Sequence, residues 1–494
     1  MTERPPLDPP IRQPPASNWL RPTRLRVLVV LALVLAAWGW LDVRVRGTVD
    51  PNTSIHKTDF TVYTEAGAAF FDGRDPYKVT NPRGWGYLYP PLFAMLVAPL
   101  HALQPPMQVL VWFGLSILMA WGCYAESLRI ARAALPDQPD RGLFGPILNW
   151  IGAAAIAAAL FPALNCLQRG QVGIAKLYLL LVGLRLLVEN RSLARSFLGG
   201  GVLSLAIVLK FTPLVPVAIV LFQELVAVWR DRERSELLPR AGACSAGTLC
   251  GLALFLFLVP ACLVGWSANL RHLNSWTQWL SHAGEIRTDD SFTGDSTSPR
   301  NQSFANAAHH LGNWTHYYVA GGPHDEGPEQ LRLGGKGLLM DAPWARGIIL
   351  AFRLAAACLL LPMGFRLGRA DDVLGRAAGF GLACVATLVI SPVARAHYFV
   401  LVFPAVIFLS LWLVRRGRPR AALCSALVPA TLVIAHYSAI HIVGRVGLLG
   451  LGTTLWFFWA TATLILARDQ TAAKQHAGHE TRQPAGTLER PLAA

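Results

Sequence analysis

The sequence predicts an all-α integral membrane protein that crosses the bilayer many times, and three observations indicate this. Of the 494 residues, 53% are hydrophobic and only 15% are charged, whereas soluble domains carry about 25% charged residues. The mean hydropathy is +0.40. Apolar runs of roughly 17–25 residues recur, each long enough to cross a hydrocarbon core of about 30 Å. We expect a membrane domain over 24–467, with disordered cytoplasmic tails at 1–23 and 468–494.

The first span is expected at about 25–41, after a Pro-rich N-terminal stretch. This run is too long for the core of a signal peptide and lacks a clear cleavage site, so we interpret it as an uncleaved span. Later apolar runs lie near 107–125, 145–165, 171–189, 197–209, 213–229, 242–265, 345–366, 377–392, 396–414, 421–440 and 447–467. We therefore predict about 11 to 13 transmembrane helices.

The net charge of +15, from 44 basic and 29 acidic residues, is best explained by membrane orientation. Arginines concentrate in the short connectors 126–144, 190–196, 230–240, 366–376 and 415–420. Cytoplasmic loops carry such an excess in membrane proteins, so we place these connectors inside. Membrane lipids, and not nucleic acid, are the expected partners. The eight cysteines lie in or beside apolar runs without a C-x-x-C motif, so we predict neither a disulfide framework nor a metal site.

Two apolar segments do not fit a regular pattern of spans. Residues 89–103 form a short run with Pro near both ends, which favours a half-inserted or interfacial helix on the outer face. Residues 197–209 and 213–229 are a marginal pair, which is compatible with a re-entrant hairpin that carries Lys210 at its tip.

With this orientation, the extracytoplasmic loops are 42–88 and 266–344, and the first of them contains a prominent acid. Asp59 precedes "FTVYTEAGAAFF", whose apolar residues recur at helical spacing and predict a helix on the membrane surface. Gly73 and the Asp75-Pro76 turn are expected to end it. Asp59 is a candidate for chemistry, but an N-cap of this helix is an equally ordinary role for an aspartate.

Basic groups lie at other outer span ends. Arg169 fits a side chain that reaches to lipid headgroups. Lys210 fits that role less well, because Pro213 breaks its helix, and we expect it to be the only lysine near a span on this face. Arg395 and His397 follow another Pro-broken helix end. In the second loop, amides and aromatics around Asn301 and Gln302 suit sugar binding.

The segments "TDFTVYTEAGAAFFDGRDPY", "YLYPPLFAMLVAPL", "GQVG", "LKFTP", "NQS" and "SPVARAHY", in this order, resemble glycosyltransferase family 87. The resemblance extends from about residue 25 to 467. It implies a GT-C-like bundle with extracytoplasmic amphipathic helices, and a bacterial mannosyltransferase that uses polyprenyl-phosphate mannose at the outer face of the cell (inner) membrane. A lipid-linked or glycan acceptor and no cofactor would be expected.

The family's motifs map onto named positions of this sequence. The resemblance implies that Asp59 is the catalytic base and that Tyr89, Gln171 and His397 occupy signature positions. Gly173, Ala394, Arg395 and Tyr398 stand where the family usually has Asn, Ser, Trp and a second His. We assign donor-phosphate binding to Lys210, Arg395 and His397, and sugar binding to Tyr63, Tyr89, Gln171, Asn301 and Gln302.

The chemistry agrees with these assignments. An inverting transfer needs one carboxylate to take the proton of the acceptor hydroxyl, and fixed cations where the leaving phosphate gains charge. Three alternatives remain from the sequence: another GT-C activity such as transfer to protein, a secondary transporter, and a structural scaffold. A transporter predicts internal repeats and polar sites near the midplane, and the sequence has no clear repeat.

Overall fold

A computed structural model describes residues 33–41, 58–80, 86–135, 146–189, 192–283, 301–307, 343–438 and 447–466. Across these ranges the secondary structure is helical, and the only β contacts are two isolated bridges. The predicted tails 1–23 and 468–494 lie outside the described residues, as do 284–300 and 308–342 of the second loop. The prediction of an all-α membrane protein is confirmed.

The helices are numbered in chain order. They are α1 (33–41), α2 (Phe60–Phe71), α3 (Pro91–Val97), α4 (Pro105–Ala134), α5 (Pro146–Arg169), α6 (Gly173–Glu189), α7 (Leu193–Leu209), α8 (Leu214–Arg230), α9 (Leu237–Ala253), α10 (Val259–Val264), α11 (Trp266–Ala283), α12 (Pro343–Leu367), α13 (Val373–Ile390), α14 (Val402–Arg415), α15 (Pro419–Ser438) and α16 (Leu448–Leu466). A π-helical segment, Leu254–Leu258, joins α9 to α10, and a 3₁₀ segment, Ala396–Leu401, leads into α14.

Eight helical stretches in the described part are long and apolar enough to span a membrane. They comprise α4, α5, the stretch from α9 to α10, and α12 to α16. The predicted spans at 171–189, 197–209 and 213–229 correspond to α6, α7 and α8, which have 17 residues each. Seventeen residues reach about 25 Å, slightly less than the hydrocarbon core. The total of 11 to 13 spans stays a prediction.

Two helices form the centre of the bundle. Nearly every residue of α13 and α14 is buried, because other helices surround them. The stretch from α9 to α10 buries only 22% of its most apolar window, so most of its surface is available to lipid. The site-bearing segment 391–398 connects the two central helices, which gives it a rigid base.

The arginine-rich connectors meet at one end of the bundle, as the sequence predicts. Arg185 near the end of α6 pairs with Glu126 of α4, and Arg240 of α9 donates to the carbonyl of Leu187 at 3.0 Å. Asp372, before α13, accepts from Arg416 at 3.3 Å. Because these contacts join the ends of five helices, the described parts of these connectors lie on one side of the bundle.

The opposite end carries a layer of short helices. α3 continues into a 3₁₀ segment, Ala98–Ala102, and both pack on α2. Twelve residues in this geometry cannot cross the bilayer, so 91–102 is not a full span, as predicted. Nine of the twelve residues of α2 are buried against protein, including polar ones on the side away from the apolar face. Its position at the membrane surface stays a prediction. Its neighbours α3 and α4 cover it.

The predicted hairpin of 197–209 and 213–229 does not form. α7 packs closely on α6 and α9 and makes few contacts with α8. Small residues allow this close packing: a methyl group at Gly200 would overlap the carbonyl of Cys244, and one at Gly247 would overlap that of Phe197. Lys210 therefore follows a separate helix that ends at the outer layer.

A side chain of the outer helix α11 hydrogen-bonds to the stretch from α9 to α10. Pro260 has no N–H, so the carbonyl of Leu256 lacks its normal helical donor. The Asn269 amide of α11 donates to this carbonyl at 2.9 Å and to that of Phe257 at 3.4 Å. An unsatisfied carbonyl in an apolar medium would be costly, so this contact stabilises both elements.

The arrangement predicts that the two ends of the bundle lie on opposite sides of the membrane. A single cysteine replacing Asp72, in the outer layer, and one replacing Arg420, in the first turn of α15, should be labelled from opposite faces by a membrane-impermeant maleimide. The measurement uses intact cells and inverted vesicles, in a background without reactive native cysteines. Labelling of both positions from the same face would contradict the topology.

Candidate active site

The carboxylate of Asp59 is held by two side chains from the end of α5. Oδ2 accepts from Nε of Arg169 at 3.0 Å and from Nε2 of Gln171 at 2.6 Å. Oδ1 is buried and has no hydrogen-bond partner among the residues that the structure describes. The N-cap interpretation of Asp59 is wrong, since its side chain makes no capping bond. The Oγ1 of Thr58 accepts from the N–H of Phe60 in its place.

A glycine turn makes this contact possible. Gly170 has φ +66°, which ends α5 and directs Gln171 back toward the first loop. A methyl group at Gly170 would lie 2.6 Å from Cβ of Phe60. The backbone N–H of Asp59 and the hydroxyl of Thr58 both bind the carbonyl of Arg169, at 3.1 and 2.9 Å. The start of α2 is therefore fixed against the end of α5.

A chain of hydrogen bonds leads from this carboxylate to a lysine. Tyr89 donates from its hydroxyl to Oε1 of Gln171 at 3.2 Å and accepts from Nζ of Lys210 at 3.4 Å. Lys210 donates at 2.8 Å to the hydroxyl of Tyr398. The hydroxyl of Tyr63 lies 3.0 Å from that of Tyr89. Because Gln171 contacts both Asp59 and Tyr89, the acid and the cation are positioned together.

A cluster of aromatic side chains surrounds this chain of hydrogen bonds and shields it from solvent. Phe60, Tyr63, Tyr87, Tyr89, Phe93 and Trp112 pack against one another with ring centroids 4.9–6.4 Å apart. Burial raises the pKa of Tyr63 and of Tyr89, because the phenolate form would lose its hydration. Both hydroxyls therefore keep their protons and can donate hydrogen bonds.

Lys210 lies between α7 and α8, where its ammonium group contacts the rings of Tyr398 and Tyr89. Its Nζ is 4.1 Å from the ring centroid of Tyr398 and 4.9 Å from that of Tyr89. Burial, together with the nearby guanidinium groups of Arg395 and Arg169, lowers the pKa of Lys210 to about 7, against the opposing effect of Asp59. An anion placed beside this ammonium would restore its charge.

The predicted sugar-binding segment at 301–303 clamps the backbone of the Arg395 segment. Asn301 Oδ1 accepts from the N–H of Ala394 at 2.9 Å, and its Nδ2 donates to the carbonyl of Pro392 at 3.3 Å. The N–H of Gln302 donates to the carbonyl of Ala394 at 2.7 Å. Asn301 and Gln302 thus fix the backbone that carries Arg395, and their role toward a sugar stays a prediction.

The second predicted cationic segment contributes a histidine with free nitrogens. His397 is 2% exposed, and neither Nδ1 nor Nε2 has a hydrogen-bond partner. The charged groups that act on its ring are Arg169, Lys210, Arg395 and Lys176. Four basic side chains and one carboxylate, Asp59, thus share this buried region. Buried charge of one sign is costly without a counter-ion, so the site is suited to an anion.

The structure brings together most of the predicted site residues and adds Arg169, Lys176 and Tyr398 to them. Asp59, Tyr63, Tyr89, Gln171 and Lys210 form one network, with Arg395 and His397 among the surrounding charges. Arg169, predicted to reach the headgroups, pairs with Asp59. Lys176 and Tyr398 were not predicted as site residues, and the expectation that Lys210 is the only lysine on this face is wrong. A lysine inside an otherwise apolar run was the available signal.

Chemically, the site offers one carboxylate oxygen without a partner beside several cations. No group of three metal-ligating side chains lies together in the described ranges. The absence of a metal requirement stays a prediction. A carboxylate facing a cationic, aromatic-lined site at the end of a membrane bundle is the arrangement that a glycosyltransferase with a phosphate-linked donor would use.

The comparisons with known proteins agree with that class. The profile of glycosyltransferase family 87 matches residues 87–392, and the chain belongs to this family. It is also similar to the polyprenol-phosphate-mannose-dependent alpha-(1-2)-phosphatidylinositol mannoside mannosyltransferase of Mycolicibacterium smegmatis (strain ATCC 700084 / mc(2)155). The two are 24% identical over 511 residues, covering 97% of this chain and 98% of the relative. The glycosyltransferase prediction is thus confirmed over the secondary transporter.

The turn at Gly170 can be tested against a second glycine of similar conformation. Gly73 has φ +72° and open space around its Cβ position, so Gly73→Ala should add only backbone strain, about 1 kcal/mol. Gly170→Ala adds overlap with Phe60 and should displace Asp59. We expect a clearly lower thermal midpoint and at least about a tenfold lower turnover for Gly170→Ala alone. Equal effects of both substitutions would show that the close approach is unimportant.

Proposed function

We propose that this protein is an inverting membrane mannosyltransferase. The donor is mannose on a polyprenyl phosphate, and the acceptor is a lipid-linked or glycan hydroxyl. The observation that carries the proposal is the carboxylate of Asp59, whose Oδ2 is held by Arg169 and Gln171 while its buried Oδ1 has no partner. That oxygen is available to accept the proton of a substrate hydroxyl.

In the proposed step, the acceptor oxygen attacks the anomeric carbon from the side opposite the phosphate. Its proton passes to Oδ1 of Asp59 as the new C–O bond forms. The bond between the anomeric carbon and the phosphate oxygen breaks, and its electron pair leaves with the polyprenyl phosphate. General-base catalysis of this kind contributes typically about 10²–10⁴-fold. The phosphate is already a good leaving group, so no general acid is needed, unlike in an inverting glycosidase.

The cationic side chains of the site would bind the phosphate of the leaving group. Lys210 and Arg395 lie near the carboxylate but on separate segments, so they can contact the phosphate while Asp59 contacts the acceptor. Arginine can bind two phosphate oxygens through parallel N–H bonds, and lysine acts as a point charge. His397, with both nitrogens free, is a further donor. These groups stabilise the negative charge that grows on the phosphate.

The choice of mannose and of a lipid acceptor depends on the relative. Its name gives a polyprenol-phosphate-mannose donor and a phosphatidylinositol mannoside acceptor. A lipid-borne donor suits a site at the end of the spans, because its phosphate would lie at headgroup level. We place the site on the extracytoplasmic face of the cell (inner) membrane, since the arginine-rich end faces the cytoplasm under the positive-inside rule.

Replacing the base tests the proposal directly. Asp59→Asn keeps the shape of the side chain but cannot take a proton, so transfer should fall by about 10²–10⁴-fold. The measurement is transfer of radiolabel from polyprenyl-phosphate mannose to a membrane lipid or glycan. The anomeric configuration of donor and product, compared by NMR, tests inversion.

Glu65→Gln is the matched control, because Glu65 lies on the helix that directly follows Asp59 and has an exposed carboxylate. It should transfer as well as the original protein. The thermal midpoint of each variant in detergent separates loss of chemistry from loss of folding. Undiminished transfer by Asp59→Asn would exclude this residue as the base, and retained anomeric configuration would exclude the inverting mechanism.

The pKa of Lys210 predicts a pH dependence of donor binding. Its pKa of about 7 means that the ammonium of the empty site loses its proton as the pH rises through 7. Phosphate binding needs the charged form, so the donor KM should rise from pH 7 to 9. Lys210→Arg stays charged over this range and should flatten the profile. A donor KM that is independent of pH in the original protein would contradict this role.

A further inference from the structure

A second lysine lies behind the site and takes no part in the mechanism above. Lys176 is in the first turn and a half of α6 and is fully buried. Its Nζ donates to Oγ1 of Thr212 at 2.8 Å and lies 5.2 Å from the ring centroid of Tyr398. Thr212 belongs to the same connecting segment as Lys210.

The two lysines share a single aromatic ring. Lys210 lies 4.1 Å from the centroid of the Tyr398 ring and also binds its hydroxyl. In the described part of the chain, neither lysine forms an ion pair with a carboxylate. The negative face of an aromatic ring offers only partial compensation for a desolvated ammonium. Two buried ammonium groups around one ring therefore leave uncompensated positive charge next to the donor site.

A purely structural lysine would be expected to look different. Lysines at span ends normally extend their ammonium groups to the interface, but Lys176 is enclosed and bonded to Thr212. Burying an ionisable group among spans is costly. An anion bound at Lys210 would offset that cost, because it would attract both ammonium groups.

We infer that Lys176 is a positioning residue of the donor-phosphate site, which orients Tyr398 and the Lys210 segment and adds a second positive charge behind them. This inference rests on the proposed function. Lys176 does not touch the phosphate, since its side chain is enclosed. It holds Thr212, on the segment that carries Lys210, and its charge increases the positive potential that the phosphate meets.

The test is a binding measurement that does not depend on transfer. The purified full-length protein in nanodiscs is titrated with a polyprenyl monophosphate and with the matching uncharged polyprenol. Lys176→Gln keeps a hydrogen-bonding group and removes the charge, and Lys176→Met removes both. Thr212→Val removes only the hydroxyl that Lys176 binds.

We expect Lys176→Gln and Lys176→Met to weaken binding of the polyprenyl monophosphate about tenfold and to leave polyprenol binding unchanged. Thr212→Val should weaken binding of the monophosphate by less than about threefold. Lys176→Arg, which keeps the charge, should retain most of the affinity of the original protein. In the transfer assay, the donor KM should rise and the acceptor KM should stay constant.

Each other outcome overturns the inference. Unchanged monophosphate binding by Lys176→Gln would show that the charge of Lys176 does not contribute to phosphate binding. An equal loss for both ligands would show a general structural role, and so would failure of both charge-removing variants to accumulate. If the original protein binds no polyprenyl monophosphate, the proposed donor itself is wrong, which distinguishes that failure from the failure of Lys176 alone.

Discussion

The contact of Asp59 with Arg169 and Gln171 is the constraint on which the rest of the site depends. It joins the first loop to the end of α5 and requires both the glycine turn at 170 and the burial of α2. A paired carboxylate tolerates an apolar surrounding far better than a lone one. Here the guanidinium of Arg169 pairs with the carboxylate of Asp59 among the aromatic rings. The partner also leaves one oxygen open, so the carboxylate is oriented as well as stabilised.

The hydrogen-bond chain from Asp59 through Gln171 and Tyr89 to Lys210 links the two halves of the proposed chemistry. In the proposed reaction, proton removal at the acceptor and charge stabilisation at the phosphate would occur at separate groups, whose spacing is fixed by one amide and one phenol. The surrounding aromatic cluster lowers the local dielectric constant and strengthens both interactions. A site of this kind is organised before the substrates arrive, which reduces the reorganisation that the reaction requires.

Much of this could be predicted from the sequence, and the errors have physical causes. Asp59 and Lys210 stand out because polar side chains near apolar spans are costly. Arg169 was misassigned because its role depends on a partner 110 residues away, which local pattern does not reveal. Lys176 was overlooked because the run around it is long enough to be a span despite one charge. The burial of the polar side of α2 could not be predicted, because its amphipathic spacing does not show that α3 and α4 cover that side.

The separation of Asp59 from Arg169 also has a consequence for biosynthesis. The first loop leaves the ribosome well before α5 exists, and until then its carboxylate lacks the guanidinium of Arg169. Unpaired, it favours water, because burying a lone charge is costly. We therefore expect α2 to pack into its apolar surroundings only after α5 has been inserted. The pair thus links the burial of the first loop to the insertion of α5, and a nascent chain truncated before residue 169 would lack the partner of Asp59.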